Sequence, residues 1–320
     1  MPCMRRVLST PLGLLHQGQV NLKFSGCYGN CIVFPQNLIP KRMRSTIRIS
    51  SHRRNCYHGD SSTSKQHACI MPDPESESKG RSKTRNNAGK SSKCENFIQQ
   101  FIRDTTEVSR DHLTPEIALR LMTPNCHLWH APIEQSADTL QHCGIGDPFW
   151  AFYWPGGQAL TRYVLDYPSV VQSKDVLDVG SGCGASAIAA AMCGARSVLA
   201  NDIDRVSIEA IKLNADLNGV TIATTSSNLI GCVDNQWDVV FLGDMFYDRD
   251  FTDTVADWLR HLADCGTKVL IGDPGRIFLQ EHPIRELLVD IFKVDLNEKC
   301  RQENNGMTEG FVWKLCKALG

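Results

Sequence analysis

Residues Val176 to Gly184 read V-L-D-V-G-S-G-C-G, a short apolar run with one acid, Asp178, that leads straight into alternating glycines at Gly180, Gly182 and Gly184. The run predicts a buried strand. The glycines can take positive φ and carry no Cβ, so a ligand can lie against bare main chain there. The Ala-rich stretch Ala185 to Ala195 reads as a helix whose first N–H groups and positive dipole end face the same loop. Strand, glycine loop and helix together make a nucleotide-type site, yet a dehydrogenase opens with nearly the same unit. Spacing separates the two, because the dinucleotide fingerprint is G-x-G-x-x-G whereas this loop runs G-x-G-x-G with an acid two residues ahead. A carboxylate at Asp178 can hold an ammonium group or reach down to the loop. Three readings stay open at this point: a site for S-adenosylmethionine, which the spacing favours, a dinucleotide site, or a turn kept for tight strand–helix packing.

Charge divides the chain. Residues 1–59 hold nine Lys or Arg and no acid, and residues 1–93 hold sixteen basic against four acidic side chains. Of the 34 basic and 35 acidic residues in the chain, eighteen and thirty-one therefore fall after Lys93. So acidic a remainder disfavours a nucleic-acid backbone as partner and favours a basic protein surface. The acid-free leader, with Arg5, Arg6, Arg42, Arg44, Arg48, Arg53 and Arg54, has the composition of a mitochondrial transit peptide, which places the expected location in the matrix. A basic tail or a nuclear address is the alternative. No uninterrupted apolar core for a secretory signal follows Arg6, and no apolar run of about eighteen residues occurs anywhere, so no membrane insertion is expected. Ser61 to Lys93 is rich in Ser, Lys, Asn, Gly and Pro and cannot bury a core. The expected organisation is a leader over 1–59, a disordered linker over 60–93 and a folded domain over 94–320.

None of the fourteen cysteines forms a C-x-x-C pair. Cys27, Cys31, Cys56 and His58 resemble a zinc cluster only in a segment expected to be removed or disordered, so no metal is expected. Cys183 and Cys193 read as small apolar residues.

Along the folded part, Phe97, Ile98, Phe101 and Ile102 recur at helical spacing, and Thr114-Pro115-Glu116 predicts an N-cap and a short helix to Met122. Ala131 to Gly146 reads as a loop. Aromatics gather over Phe149 to Trp154, ahead of Pro155-Gly156-Gly157 and a helix from Gln158. From Lys174 onward strands and helices alternate, with strands expected at 176–179, 197–200, 221–225, 237–242 and 268–272. Two late strands, at 291–296 and 310–315, flank a polar turn. The pattern predicts an α/β fold, a doubly wound, mostly parallel sheet that closes on an antiparallel hairpin.

Ligands of such a sheet bind beyond the carboxyl ends of its strands. Asp202 ends the second strand, where a carboxylate can accept both hydroxyls of a ribose, while Asp204 fits better as the cap of the next helix. Asn228 follows the third strand, able to read an adenine amino group or simply to make a turn. Trp154, beside the Pro-Gly-Gly turn, is either a pocket wall or part of the aromatic core. Asp244 to Tyr247, D-M-F-Y, leaves the fourth strand where a methyl donor would face its acceptor. Asp244 could hold an incoming amine and Tyr247 supply a wall and a hydroxyl. A capping Asp and a core Tyr are the plain alternative.

With V-L-D-V-G-S-G-C-G, N-D-I-D and D-M-F-Y-D in hand, the chain resembles the seven-β-strand S-adenosylmethionine methyltransferases, specifically the lysine methyltransferases with a D-x-x-Y/F signature after the fourth strand. Leu113–Pro124, Tyr153–Leu160, Leu242–Asp248, Val269–Arg276 and Arg301–Asn304 resemble the branch that acts on the electron transfer flavoprotein β subunit. The resemblance spans roughly residues 97–313. It implies donor contacts at Asp178, Gly180, Gly182 and Asp202, acceptor contacts at Asp244 and Tyr247, and flavoprotein lysines as substrate. A nucleic-acid N-methyltransferase would carry an N-P-P-Y/F-like loop in place of D-M-F-Y, and a binding module without catalysis would not need the intact glycine loop.

Overall fold

The computed structural model describes residues 20–22, 32–34, 85–130, 145–233, 236–304 and 306–317. Val20–Leu22 (β1) and Ile32–Phe34 (β2) pair antiparallel as a separate ladder. The rest of the expected leader and of the linker to residue 84, Cys27, Cys31, Cys56, His58 and loop residues 131–144 lie outside the described residues. Helix α1 (Arg85–Thr105) starts inside the stretch expected as linker, not at Cys94. Residues 85–93 carry no large apolar side chain, so composition gives no sign of it. Ile102 is buried against Ala210 and Leu213, and a helix once nucleated adds a backbone bond per residue.

The expected short helix after Thr114 is replaced by one turn, closed by Ile117 N–H to Thr114 O at 3.0 Å. Leu119–Leu121 (β4) then pairs antiparallel with Glu107–Ser109 (β3). Two forces outweigh the helical signal. Leu119 and Leu121 are buried and Arg120 between them is not, the alternation of a strand. Asn214 and Asn218 also accept from the N–H groups of Arg120 and Ala118, each at 2.8 Å.

After the single-turn α2 (His127–His130), helix α3 (Pro155–Asp166) opens with Pro at its first position, earlier than the Gln158 start expected. The alternating units follow: β5 (Asp175–Val179), α4 (Ala185–Met192), β6 (Ser197–Asn201), α5 (Arg205–Leu217), β7 (Ala223–Thr225), β8 (Val239–Gly243), α6 (Arg249–Asp264) and β9 (Lys268–Asp273). A one-turn α7 (Ile277–Gln280), β10 (Leu288–Asp295), α8 (Glu298–Glu303) and β11 (Glu309–Leu315) complete the domain. The sheet order is β10-β11-β9-β8-β5-β6-β7. The last five strands of that order are mutually parallel, and β11 runs antiparallel between β9 and β10.

Both sheet faces are covered. Val176, Phe241, Leu270 and Val312 pack on one side with α3 and α4, while Leu177, Val240, Leu242, Val269, Ile271 and Trp313 pack on the other with α6. Burial on two faces is why these strands read as unbroken apolar runs. Each fully buried side chain of this size contributes about 1.5–3 kcal/mol. The sheet fixes a row of carboxyl ends at Val179, Asn201, Thr225, Gly243 and Asp273.

Candidate active site

At the first of these ends, Gly180, Gly182 and Gly184 all have positive φ, of 65°, 56° and 83°. A Cβ on Gly180 would fall 2.2 Å from Met245 Sδ, so the Asp244–Tyr247 turn lies directly over the glycine loop. Asp178 is buried and reaches down to the loop. Its Oδ2 accepts from Ser181 Oγ at 2.6 Å, which ties the strand to the glycine loop. Burial pushes the Asp178 carboxyl up to about 7.

Asp202 is half-buried at the end of β6. Its Oδ2 accepts from Gly182 N–H at 2.9 Å and its Oδ1 from Asp204 N–H at 3.0 Å. It therefore ties the strand end to the glycine loop, and each oxygen keeps a further lone pair. Asp204 caps α5 through Val206 N–H at 2.8 Å, as its spacing predicted. Asn228 is exposed, and its Oδ1 accepts from Ile230 N–H at 3.1 Å, a turn bond. Trp154 immediately precedes α3. Its Nε1 donates to Phe149 O at 3.1 Å and its ring leans on Phe152 and Phe149. Trp150 and Tyr153 of the same run are core.

Asp244 leaves β8 with φ of 56°, a left-handed conformation that costs a non-glycine residue on the order of 1–3 kcal/mol. The surroundings hold it there. Its N–H donates to Gly272 O at 2.9 Å, Oδ2 accepts from Gly157 N–H at 3.0 Å, and Oδ1 accepts from Arg276 Nε at 3.1 Å and Nη2 at 2.5 Å. Asp244 thus accepts from the first turn of α3, while the helix that follows the turn, α6, is capped by Asp248 through Phe251 N–H at 2.9 Å and not by Asp244. Tyr247 stacks on Phe251 with ring centroids 5.3 Å apart. Burial, with Asp202 and Asp248 nearby, pushes its phenol up to about 12, so it stays protonated. The glycine loop and the Asp244–Tyr247 turn are therefore adjacent.

Sequence reasoning missed the frame that supports Asp244. Gly156 and Gly272 are in direct backbone contact: a Cβ on Gly156 would meet Gly272 O at 2.2 Å, and one on Gly272 would meet Gly156 O at 2.1 Å. Only glycines at both positions let α3 reach the strand ends. Asp273 and Arg276 were also missed. Both are buried, and Asp273 Oδ1 accepts from Gly275 N–H at 2.8 Å and Arg276 N–H at 2.7 Å. An acid ending a core strand and an arginine three residues later was the available signal. No group of His, Cys, Asp or Glu among the described residues is arranged to hold a metal.

A parallel sheet with this strand order, a glycine loop after β5 and acids at successive strand ends define a Rossmann-like methyltransferase. The family model described as ribosomal protein L11 methyltransferase (PrmA) matches residues 158–244. Over 219 residues the chain is 47% identical to a Xenopus laevis protein and 48% identical to a Homo sapiens protein, both named electron transfer flavoprotein beta subunit lysine methyltransferase. The matches cover 68% of this chain and 86% and 81% of those relatives. A Danio rerio relative of the same name is 44% identical over 227 residues, covering 70% of this chain and 85% of its own. The chain belongs to the electron transfer flavoprotein β-subunit lysine methyltransferase family. Among solved structures, a ribosomal protein L11 methylase from Lactobacillus delbrueckii subsp. bulgaricus is 24% identical, covers 50% of this chain and 79% of its own, and has a TM-score of 0.37.

Proposed function

We propose that the protein transfers methyl groups from S-adenosylmethionine to lysine side chains of the electron transfer flavoprotein β subunit, with Asp244 and Tyr247 as the acceptor site. The observation that supports this reading is the contact of Met245 with Gly180, by which the D-M-F-Y turn lies over the glycine loop. The residues present fit the donor. Gly180 and Gly182 offer the bare backbone a Cβ would fill, Asp202 keeps acceptor capacity for ribose hydroxyls, and Asp178 holds the loop in shape through Ser181; among the described residues, Trp154 and Asn228 have only their own turn and aromatic contacts. When bound there, S-adenosylmethionine supplies an electrophilic methyl on a sulfonium sulfur, which a neutral amine takes in line as the C–S bond breaks.

A lysine amine is mostly protonated near neutral pH, with a reference pKa of about 10.4. The chain's part is to collect that ammonium, orient it and shield it from water. Asp244 is buried and fixed in one orientation, and its carboxylate accepts a charge-assisted hydrogen bond from the incoming nitrogen, which gives up one proton to solvent before its lone pair takes the methyl. The Tyr247 ring walls the path. The acidic domain suits a basic docking surface, and the acid-free leader over residues 1–59 supports a location in the mitochondrial matrix.

The test is Asp244→Ala in the full chain, scored by calorimetry for the donor and by methyl incorporation for transfer. Donor binding is expected to persist and transfer to vanish. Unchanged turnover would refute the acceptor assignment.

A further inference from the structure

Behind the acceptor turn, two buried carboxylates share one guanidinium unequally. Arg276 gives Asp244 Oδ1 two hydrogen bonds, and its Nε lies 3.9 Å from Asp273 Oδ2. Asp273 is fully buried and this oxygen has no hydrogen-bond partner. Such an atom is costly to leave unpaired. Its partner oxygen, Oδ1, is pinned by two backbone N–H groups, so the carboxylate is held in place beside the guanidinium. Burial works to lower the Arg276 guanidinium and to raise the Asp273 carboxyl, while Asp244 and Asp273 together hold Arg276 above its usual value.

A lysine ammonium arriving at Asp244 meets an oxygen that the guanidinium already occupies. Two cations against one buried carboxylate repel each other, and a buried arginine stripped of its partner would be strongly disfavoured. Asp273 Oδ2 offers a second seat within a short swing. Arg276 sits ahead of α7 with extended backbone, at ψ of 142°, so its side chain can turn without unwinding a helix.

We propose that Arg276 is an exchangeable counter-ion, which neutralises Asp244 while no acceptor is present and passes to Asp273 Oδ2 when the lysine ammonium takes Asp244 Oδ1. The proposal rests on the reading of Asp244 as the acceptor carboxylate. It gives Arg276 and Asp273 a positioning role, since neither touches the reacting atoms. It also makes the site selective for cations: a neutral acceptor brings no charge to release the arginine from Asp244.

The test is Asp273→Asn in the full chain, with donor affinity by calorimetry, thermal midpoint, and kcat and KM for recombinant electron transfer flavoprotein at saturating donor. Asparagine keeps an acceptor for the Gly275 and Arg276 N–H groups but removes the second carboxylate. Exchange predicts an unchanged donor affinity, kcat within about threefold of the parent, and a KM for the flavoprotein raised roughly tenfold or more. An unchanged KM in a folded variant would overturn the exchange. If Asp273→Asn fails to fold, a crystal structure of the unaltered chain with S-adenosylhomocysteine and the flavoprotein decides. Arg276 bonded to Asp273 Oδ2 supports the proposal, and Arg276 still on Asp244 beside a seated lysine overturns it. Asp244→Asn separates the two levels. Full turnover in that variant removes the acceptor reading itself, whereas its loss together with a harmless Asp273→Asn removes only the exchange.

Discussion

Replacing Gly156 by alanine probes how far the acceptor turn depends on the start of α3. The added Cβ would lie 2.2 Å from Gly272 O, 2.6 Å from Gly272 C and 2.7 Å from Asp244 Oδ2. None of these is a free chain end, for two are main chain and the third is a carboxylate held by Arg276. Relief requires the helix start to lift by roughly 1 Å. The Gly157 N–H to Asp244 Oδ2 bond, now 3.0 Å, would then stretch toward about 4 Å, where no hydrogen bond survives. Overpacking costs about 1–3 kcal/mol, and a lost bond to a charged acceptor about 1.5–3 kcal/mol. Gly156→Ala should therefore lose roughly 3–5 kcal/mol in urea unfolding, a large part of a typical domain's stability. A misplacement of about 1 Å at the reacting centre lowers turnover on the order of 10²-fold. Donor affinity, read by calorimetry, should hold, because the glycine loop is on a different element. A variant within about 0.5 kcal/mol of the parent, with undiminished transfer, would refute the reasoning.

Three further outcomes follow from the donor side. Gly180→Ala puts a side chain at φ of 65°, costing about 1–2 kcal/mol, and fills the loop's bare face; donor affinity should fall, by calorimetry, while flexible Met245 turns aside. Asp202→Ala strips acceptors from the Gly182 and Asp204 N–H groups, and donor affinity should drop about tenfold or more. Asp178 sets a pH dependence: its carboxyl is raised from 3.8 to about 7 by burial, so ionising it opposes folding. The stability it contributes is complete below its unfolded pKa and is lost as pH rises through about 7. Asp178→Asn should flatten that slope in urea unfolding at about pH 5 and about pH 8.

The sheet was legible in the sequence because its strands are buried on both faces and punctuated by glycine and acid. Val176 to Gly184 placed the strand and the loop, and the Ala-rich Ala185 to Ala195 the helix after them. Asp204 was recognisable as a cap because capping is local. The short hairpin was misread because Thr114-Pro115-Glu116 carries a local helical signal, whereas the opposing bonds come from Asn214 and Asn218, far along the chain. Helix α1 starts ahead of the expected domain boundary at Cys94 and of the helical spacing that begins at Phe97, since residues 85–93 carry no large apolar side chain. At the strand ends, the reach of Asp178 to its own loop was one of the two readings open for it, because Ser181 is three residues away. Asp244's clamp by Arg276 and Gly157 and the Gly156–Gly272 contact depend on how α3 crosses the sheet, which no local pattern encodes.

The most direct test of the account is methyl transfer by the full chain, given S-adenosylmethionine and recombinant electron transfer flavoprotein, read by peptide mass spectrometry of the β subunit. The account predicts methyl increments on lysines of that subunit, absent with Asp244→Ala. No increment from a chain that binds the donor would contradict it.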